Sequence, residues 1–152
     1  MKKEKIDNKE RSYSKKLVLR CTREKMFQAL SSKKGITGWW THLVKGVFAE
    51  NKKIRLEFEG LSEHIDLQID SQKRPEQVIW TCLVHSSNPE WAKTKIIFAL
   101  SEKSKSACEL SFQHQGLSPQ LDCYDDCRLG WDYFLKSLAG FVERGEGMPF
   151  TS

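Results

Sequence analysis

CYDDCRLGWDYFLKSLAGFVERGEGMPF, residues 123–150, reads as one long amphipathic helix followed by a stop signal. At helical spacing Cys127, Trp131, Phe134, Leu138 and either Phe141 or Val142 fall on one stripe, with Asp126, Arg128, Asp132 and Lys136 turned away from it. The helix is expected to end near Arg144, because Gly145 and Gly147 accept a left-handed exit and Pro149 cannot continue the coil. A stripe this aromatic needs a broad apolar partner. The chain that precedes it alternates as a sheet would.

Working back from that helix, a first strand is expected over Tyr13 to Cys21, with Leu17, Leu19 and Cys21 on one face. Thr22 can cap a short helix carrying Met26, Phe27 and Leu30, and Ser31 or Ser32 can start a second one before Gly35 and Gly38 interrupt it, with Trp39 and Trp40 closing this helical elbow. Val44 to Phe48 and Lys53 to Phe58 form a hairpin pattern around Glu50 and Asn51, with Ile54, Leu56 and Phe58 facing in. Ile65, Leu67 and Ile69 begin the next strand, and SQKRPE is read as a polar loop before a strand from Gln77 to Leu83. In that strand both Val78, Trp80, Cys82 and Ile79, Thr81, Leu83 are apolar enough to face in. Two further strands turn Thr94, Ile96, Phe98 and Leu100, then Cys108, Leu110, Phe112 and His114, to the same side. One wet face per strand means an antiparallel sheet, and the element order makes the class α+β: about seven strands curved around the terminal helix.

The formal charge of +5 sits mostly at one end. Met1 to Lys25 holds ten Lys or Arg against four Asp or Glu, leaving fifteen against sixteen elsewhere. A nucleic-acid partner is therefore not expected. Residues 1–12 carry eight charged side chains and are expected to form a disordered arm, with residues 13–150 as one domain. Five cysteines without a CxxC pair suit reduced thiols in the cytoplasm, and the absence of a long apolar run argues against secretion or membrane insertion.

Four segments together carry a resemblance: GITGWWT at Gly35–Thr41, VIWTC at Val78–Cys82, LSFQHQG at Leu110–Gly116, and CRLGWDYFLKSLAGFVERGEGMPF at the end. Their order and spacing resemble the START-like (SRPBCC) helix-grip superfamily, and within it the group homologous to the activator of the heat-shock-chaperone ATPase. The resemblance covers about Tyr13 to Phe150 and implies a hydrophobic cavity between the curved sheet and the long helix. Its members bind lipids, sterols, polyketides and other apolar molecules, and they differ in activity.

Binding of an apolar or aromatic small molecule by a monomeric protein is accordingly expected, with no metal and no organic cofactor. The expected cavity wall takes Trp39, Phe58, Trp80, Phe98 and Phe112 from the sheet side, and Cys127, Trp131 and Phe134 from the helix, with Trp91 a further aromatic candidate. His114 points inward, so it is either a ligand contact and proton-transfer group or a histidine satisfied within the core. Were the protein a cyclase or dehydratase, His114 would be its base. Interaction with a chaperone is a third alternative, from the group's name. Cys123 and Cys127, four residues apart, have β-carbons about 5–6 Å apart, too far for an unstrained disulfide, and lack metal-ligand spacing to other residues. No GxSxG, GxxxxGK or GxGxxG occurs, which counts against hydrolase, NTPase and dehydrogenase chemistry.

Overall fold

The computed structural model describes residues 12–151. The chain runs β1 (Ser12–Leu19), α1 (Arg23–Ser31), α2 (Lys33–Trp39), β2 (Leu43–Gly46), β3 (Lys53–Glu57), β4 (His64–Lys73) and β5 (Gln77–His85). A 3-10 turn at Pro89–Trp91 leads to β6 (Lys95–Ser104), β7 (Ala107–Gln115) and α3 (Tyr124–Arg144). The expected arm falls outside the described residues except for Ser12, which opens β1.

All seven strands form one antiparallel sheet in the order β1-β7-β6-β5-β4-β3-β2. Its inner face is built from cross-strand apolar pairs such as Leu17 with Leu110, Phe98 with Phe112 and Leu56 with Ile65. The open choice in β5 resolves in favour of Val78, Trp80 and Cys82, which are fully buried, while Ile79, Thr81 and Leu83 are half-buried. One sequence expectation needs correction. Ser71, Gln72 and Lys73 are not loop but strand, pairing with Ile79, Val78 and Gln77. The irregularities between Asp66 and Leu67 and between Ile69 and Ser71 let β4 bend and still continue its ladder. Polar composition hid this because the extension runs with one side in water.

α1 and α2 are capped as side-chain chemistry requires: Thr22 Oγ1 accepts from the Lys25 N–H (3.1 Å) and Ser32 Oγ from the Gly35 N–H (3.0 Å). Gly35 and Gly38 do not interrupt α2, which runs through both; Gly35 instead lets the two helices meet, since a β-carbon there would lie 2.5 Å from the Gln28 carbonyl oxygen and 2.6 Å from the Ala29 Cα. α3 ends where expected, at Gly145 in the left-handed region (φ 73°), with Gly145 N–H bonded to Phe141 O and Glu146 N–H to Gly140 O.

The buried stripe of α3 is Cys127, Trp131, Leu135, Leu138 and Val142. Leu135 takes the central position that the sequence pattern gave to Phe134, which is half-buried at the stripe's edge. Between Phe141 and Val142 it is Val142 that is buried. The C-terminal half of α3 is closed by α2: Ser137 Oγ donates to the Trp39 carbonyl (2.8 Å) and accepts from the Met148 N–H (2.6 Å). β1 is tied to the helix by Tyr13 and Lys15, both bonded to Asp132, the lysine at 2.8 Å.

Because backbone rather than a flexible side chain occupies the space beside Gly35, Gly35→Ala is expected to destabilise the fold by about 1–3 kcal/mol. Chemical denaturation of the wild-type and variant proteins measures the difference.

Candidate functional site

The N-terminal half of α3 faces a cavity of about 180 Å³ instead of packed core. Aromatic rings make most of its wall: Trp40 after α2, Phe58 at the end of β3, Trp91 in the 3-10 turn, Trp131 and Phe134 on α3, and Phe150 near the C-terminus. Phe150 is held there by its N–H bonding to the Trp40 carbonyl (2.8 Å) and by its ring meeting Phe58 edge-on at 5.5 Å. Trp40 lies between the cavity and the core, stacked on Trp39 (5.3 Å) and Trp80 (5.9 Å). Ile65, Leu61, Cys127 and Gly130 complete the apolar lining, and Glu63, His85, Asn88 and Asp126 supply its polar atoms.

A directional set of hydrogen bonds fixes the back of this wall. The Trp131 Nε1–H donates to His114 Nδ1 (3.0 Å), so the His114 proton must sit on Nε2, from which it is given to Thr94 Oγ1 (2.8 Å). The Thr94 hydroxyl in turn donates to the Trp91 carbonyl (2.6 Å), and the Trp91 Nε1–H donates to Cys127 Sγ (3.1 Å). Trp91 and Trp131 are thereby held nearly parallel, 6.0 Å apart at 9°. Every ring nitrogen of His114 is used. Burial pushes its imidazole down to about 3, with His85 a smaller cause.

His85 is the histidine that reaches the cavity. Its Nδ1 accepts the N–H groups of Ser87 (3.2 Å) and Asn88 (3.1 Å), which places its proton on Nε2; the Asn88 side-chain amide, whose end lies 3.3 Å away, accepts that proton when its oxygen rather than its nitrogen faces the ring. Burial lowers its pKa too. The mouth thus holds a neutral imidazole and an amide as its oriented polar groups.

The sequence over residues 20–143 matches the family described as "Activator of Hsp90 ATPase homolog 1-like protein". The chain belongs to this family. Among solved structures, it is similar to the Aha1 dimer from Colwellia psychrerythraea, at 25% identity and TM-score 0.77 over 90% of this chain and 98% of that one. It is also similar in fold to SSP2350 from Staphylococcus saprophyticus (18%, TM-score 0.73, 90% and 95% covered) and to CalU16 from Micromonospora echinospora (19%, 0.70, 90% and 76%). No curated protein matches the sequence. The helix-grip architecture read from the sequence is therefore that of the Hsp90-activator homologue family.

Of the residues expected at the cavity, Phe58, Trp91, Cys127, Trp131 and Phe134 line it. Trp39, Trp80, Phe98 and Phe112 are fully buried behind that lining, and His114 is sealed between Trp91 and Trp131. Strand alternation reports which face is inward, not how deep a side chain sits. Trp40, His85, Asn88 and Phe150 were not singled out, because they stand at element ends and in turns where periodicity gives no direction. Asp126 lies on the face of α3 that periodicity turns outward and Glu63 directly precedes β4, yet both border the mouth, since a cavity rim takes side chains from the edges of the buried faces.

Among the described residues, no three His, Cys, Asp or Glu side chains are placed to hold a metal ion, and no helix is long and apolar enough to cross a membrane. All five cysteines are unpaired; Cys21 and Cys108 come within 3.6 Å at sulfur. Trp80 Nε1 is buried without an acceptor, a site that costs about 1–3 kcal/mol.

The two lowered histidines make a pH prediction with a definite sign. A histidine whose folded pKa lies below its unfolded value of about 6.5 contributes full stability above 6.5, which is lost as pH falls from there toward the folded value. Urea unfolding is expected to show stability falling between pH 7 and pH 5, by about 2 kcal/mol for His114 alone. His114→Gln should be less stable at pH 7 and show a shallower fall.

Proposed function

We propose that the protein binds a small apolar or aromatic molecule in the cavity between Trp40, Trp91 and the first turns of α3. The observation that carries this reading is Gly130. It stands inside a 21-residue helix, where glycine costs about 1 kcal/mol relative to alanine. A β-carbon on it would touch nothing within 4 Å, so packing gives no reason for its presence. It borders the cavity, where any side chain would take up ligand space. The aromatic wall and the His85–Asn88 corner fit the usual makeup of such sites, mostly apolar with a few oriented polar groups.

The volume narrows the ligand. Apolar cavities near 150 Å³ accommodate one benzene ring, and drug-sized ligands occupy about 300 Å³ or more. A molecule with a one-ring body suits this site better than the sterol or long-chain lipid bound elsewhere in the superfamily. A carrier or sensor role is favoured over the cyclase alternative, because His114 offers no nitrogen to the cavity and its neutral form is locked by donors and acceptors of the core. We place this activity in the cytoplasm, on the strength of five unpaired cysteines.

The test uses 2-phenylethanol as a neutral one-ring probe, followed by amide NMR shifts. Shifts are expected at Trp40, Trp91 and the first three turns of α3. Gly130→Ala should raise stability by about 0.5–1 kcal/mol and weaken the probe, and Gly130→Leu should weaken it at least about tenfold. Unaltered affinity in Gly130→Leu would contradict the site.

A further inference from the structure

Resting on that reading, we infer that the ligand is a cation: a one-ring or similarly compact apolar body carrying a protonated or quaternary amine. Two acidic side chains, Glu63 just before β4 and Asp126 on α3, border the mouth, and no Lys or Arg lies among the lining residues. This is the reverse of the chain's overall charge of +5. Glu63 Oε1 accepts from Ser87 Oγ at 2.6 Å, which fixes the carboxylate and leaves Oε2 for another donor.

The aromatic wall points the same way. Trp40, Trp91, Trp131 and Phe134 border the space, and an aromatic ring attracts an ammonium group that comes over its face through the ring quadrupole. His85, with Nδ1 occupied by two backbone donors, adds no opposing positive charge.

An anionic ligand is the natural rival, because the mouth lies beside the N-terminus of α3, where the helix dipole favours negative charge. That end is already supplied. Asp125 and Asp126 occupy the first turn, and Glu90 accepts the Cys123 N–H at 3.4 Å. Arg128, the cation one turn on, is engaged by Asp125 at 3.6 Å. An added anion would meet the carboxylates of Asp125, Asp126 and Glu90 at this helix end.

Three probes of matched size separate the possibilities by calorimetry or NMR titration: 2-phenylethylamine, 2-phenylethanol and 3-phenylpropionate. The amine is expected to bind about tenfold more tightly than the alcohol at low salt, and the carboxylate most weakly. That advantage should shrink as ionic strength rises from about 20 to 500 mM, where screening shortens to a few ångströms. In the Glu63→Gln, Asp126→Asn double variant the amine-to-alcohol preference should drop to about twofold. Equal affinity for amine and alcohol would overturn the cation proposal and leave the cavity reading standing. Tighter binding of the carboxylate would overturn it in favour of the helix terminus, and binding of none of the three would overturn both.

Discussion

The proton on His114 has one place it can be, and much of the molecule is arranged around that constraint. With Trp131 donating to Nδ1 and Thr94 accepting from Nε2, the imidazole joins α3 to β7 and to the turn that carries Trp91. Cys127 closes the circuit by accepting from Trp91 one helical turn before Trp131. Each bond contributes about 0.5–1.5 kcal/mol net, but losing one leaves a buried donor or acceptor unsatisfied, which costs more. A second proton on His114 would set two donors against each other across 3.0 Å. Burial keeps the pKa of this residue low, and the bonds made by its neutral form hold the wall.

That rigidity separates the two halves of the long helix by function. Toward the C-terminus, Ser137, Leu138 and Val142 pack against α2 and the sheet with their polar atoms satisfied. Toward the N-terminus, Trp131 and Cys127 are spent on holding Trp91, and the space in front of them stays open. A cavity whose walls are already in place needs little ordering when a ligand enters, so burial of a small apolar body can appear as affinity. The carboxylates at the mouth would act on whatever charge such a molecule presents, at the edge where water is only partly excluded.

The fold was legible because it depends on periodicity. Leu110, Phe112 and His114 alternate against Glu109, Ser111 and Gln113, and the structure keeps that alternation through all of β7. The capping role of Thr22 and the exit at Gly145 were equally readable, being local chemistry. Depth was not. His114 and Phe58 both follow inward strand positions, but one is sealed in the core and the other meets the cavity. The difference lies in distant residues: Trp91 and Trp131 cover the histidine, and Phe150, over ninety positions later, meets Phe58 at an open edge. His85 shows the same limit, since two backbone N–H groups of its own turn fix its tautomer and no side-chain pattern announces them.

The most direct test of the His114 hydrogen-bond circuit is the nitrogen chemical shift of its ring, followed by long-range proton–nitrogen NMR from pH 8 to pH 5. The predicted result is one neutral tautomer throughout, protonated at Nε2 and bare at Nδ1, with no titration near 6.5. A ring that titrates near that value, or that carries its proton on Nδ1, would contradict the hydrogen-bond circuit and the fixed wall built on it.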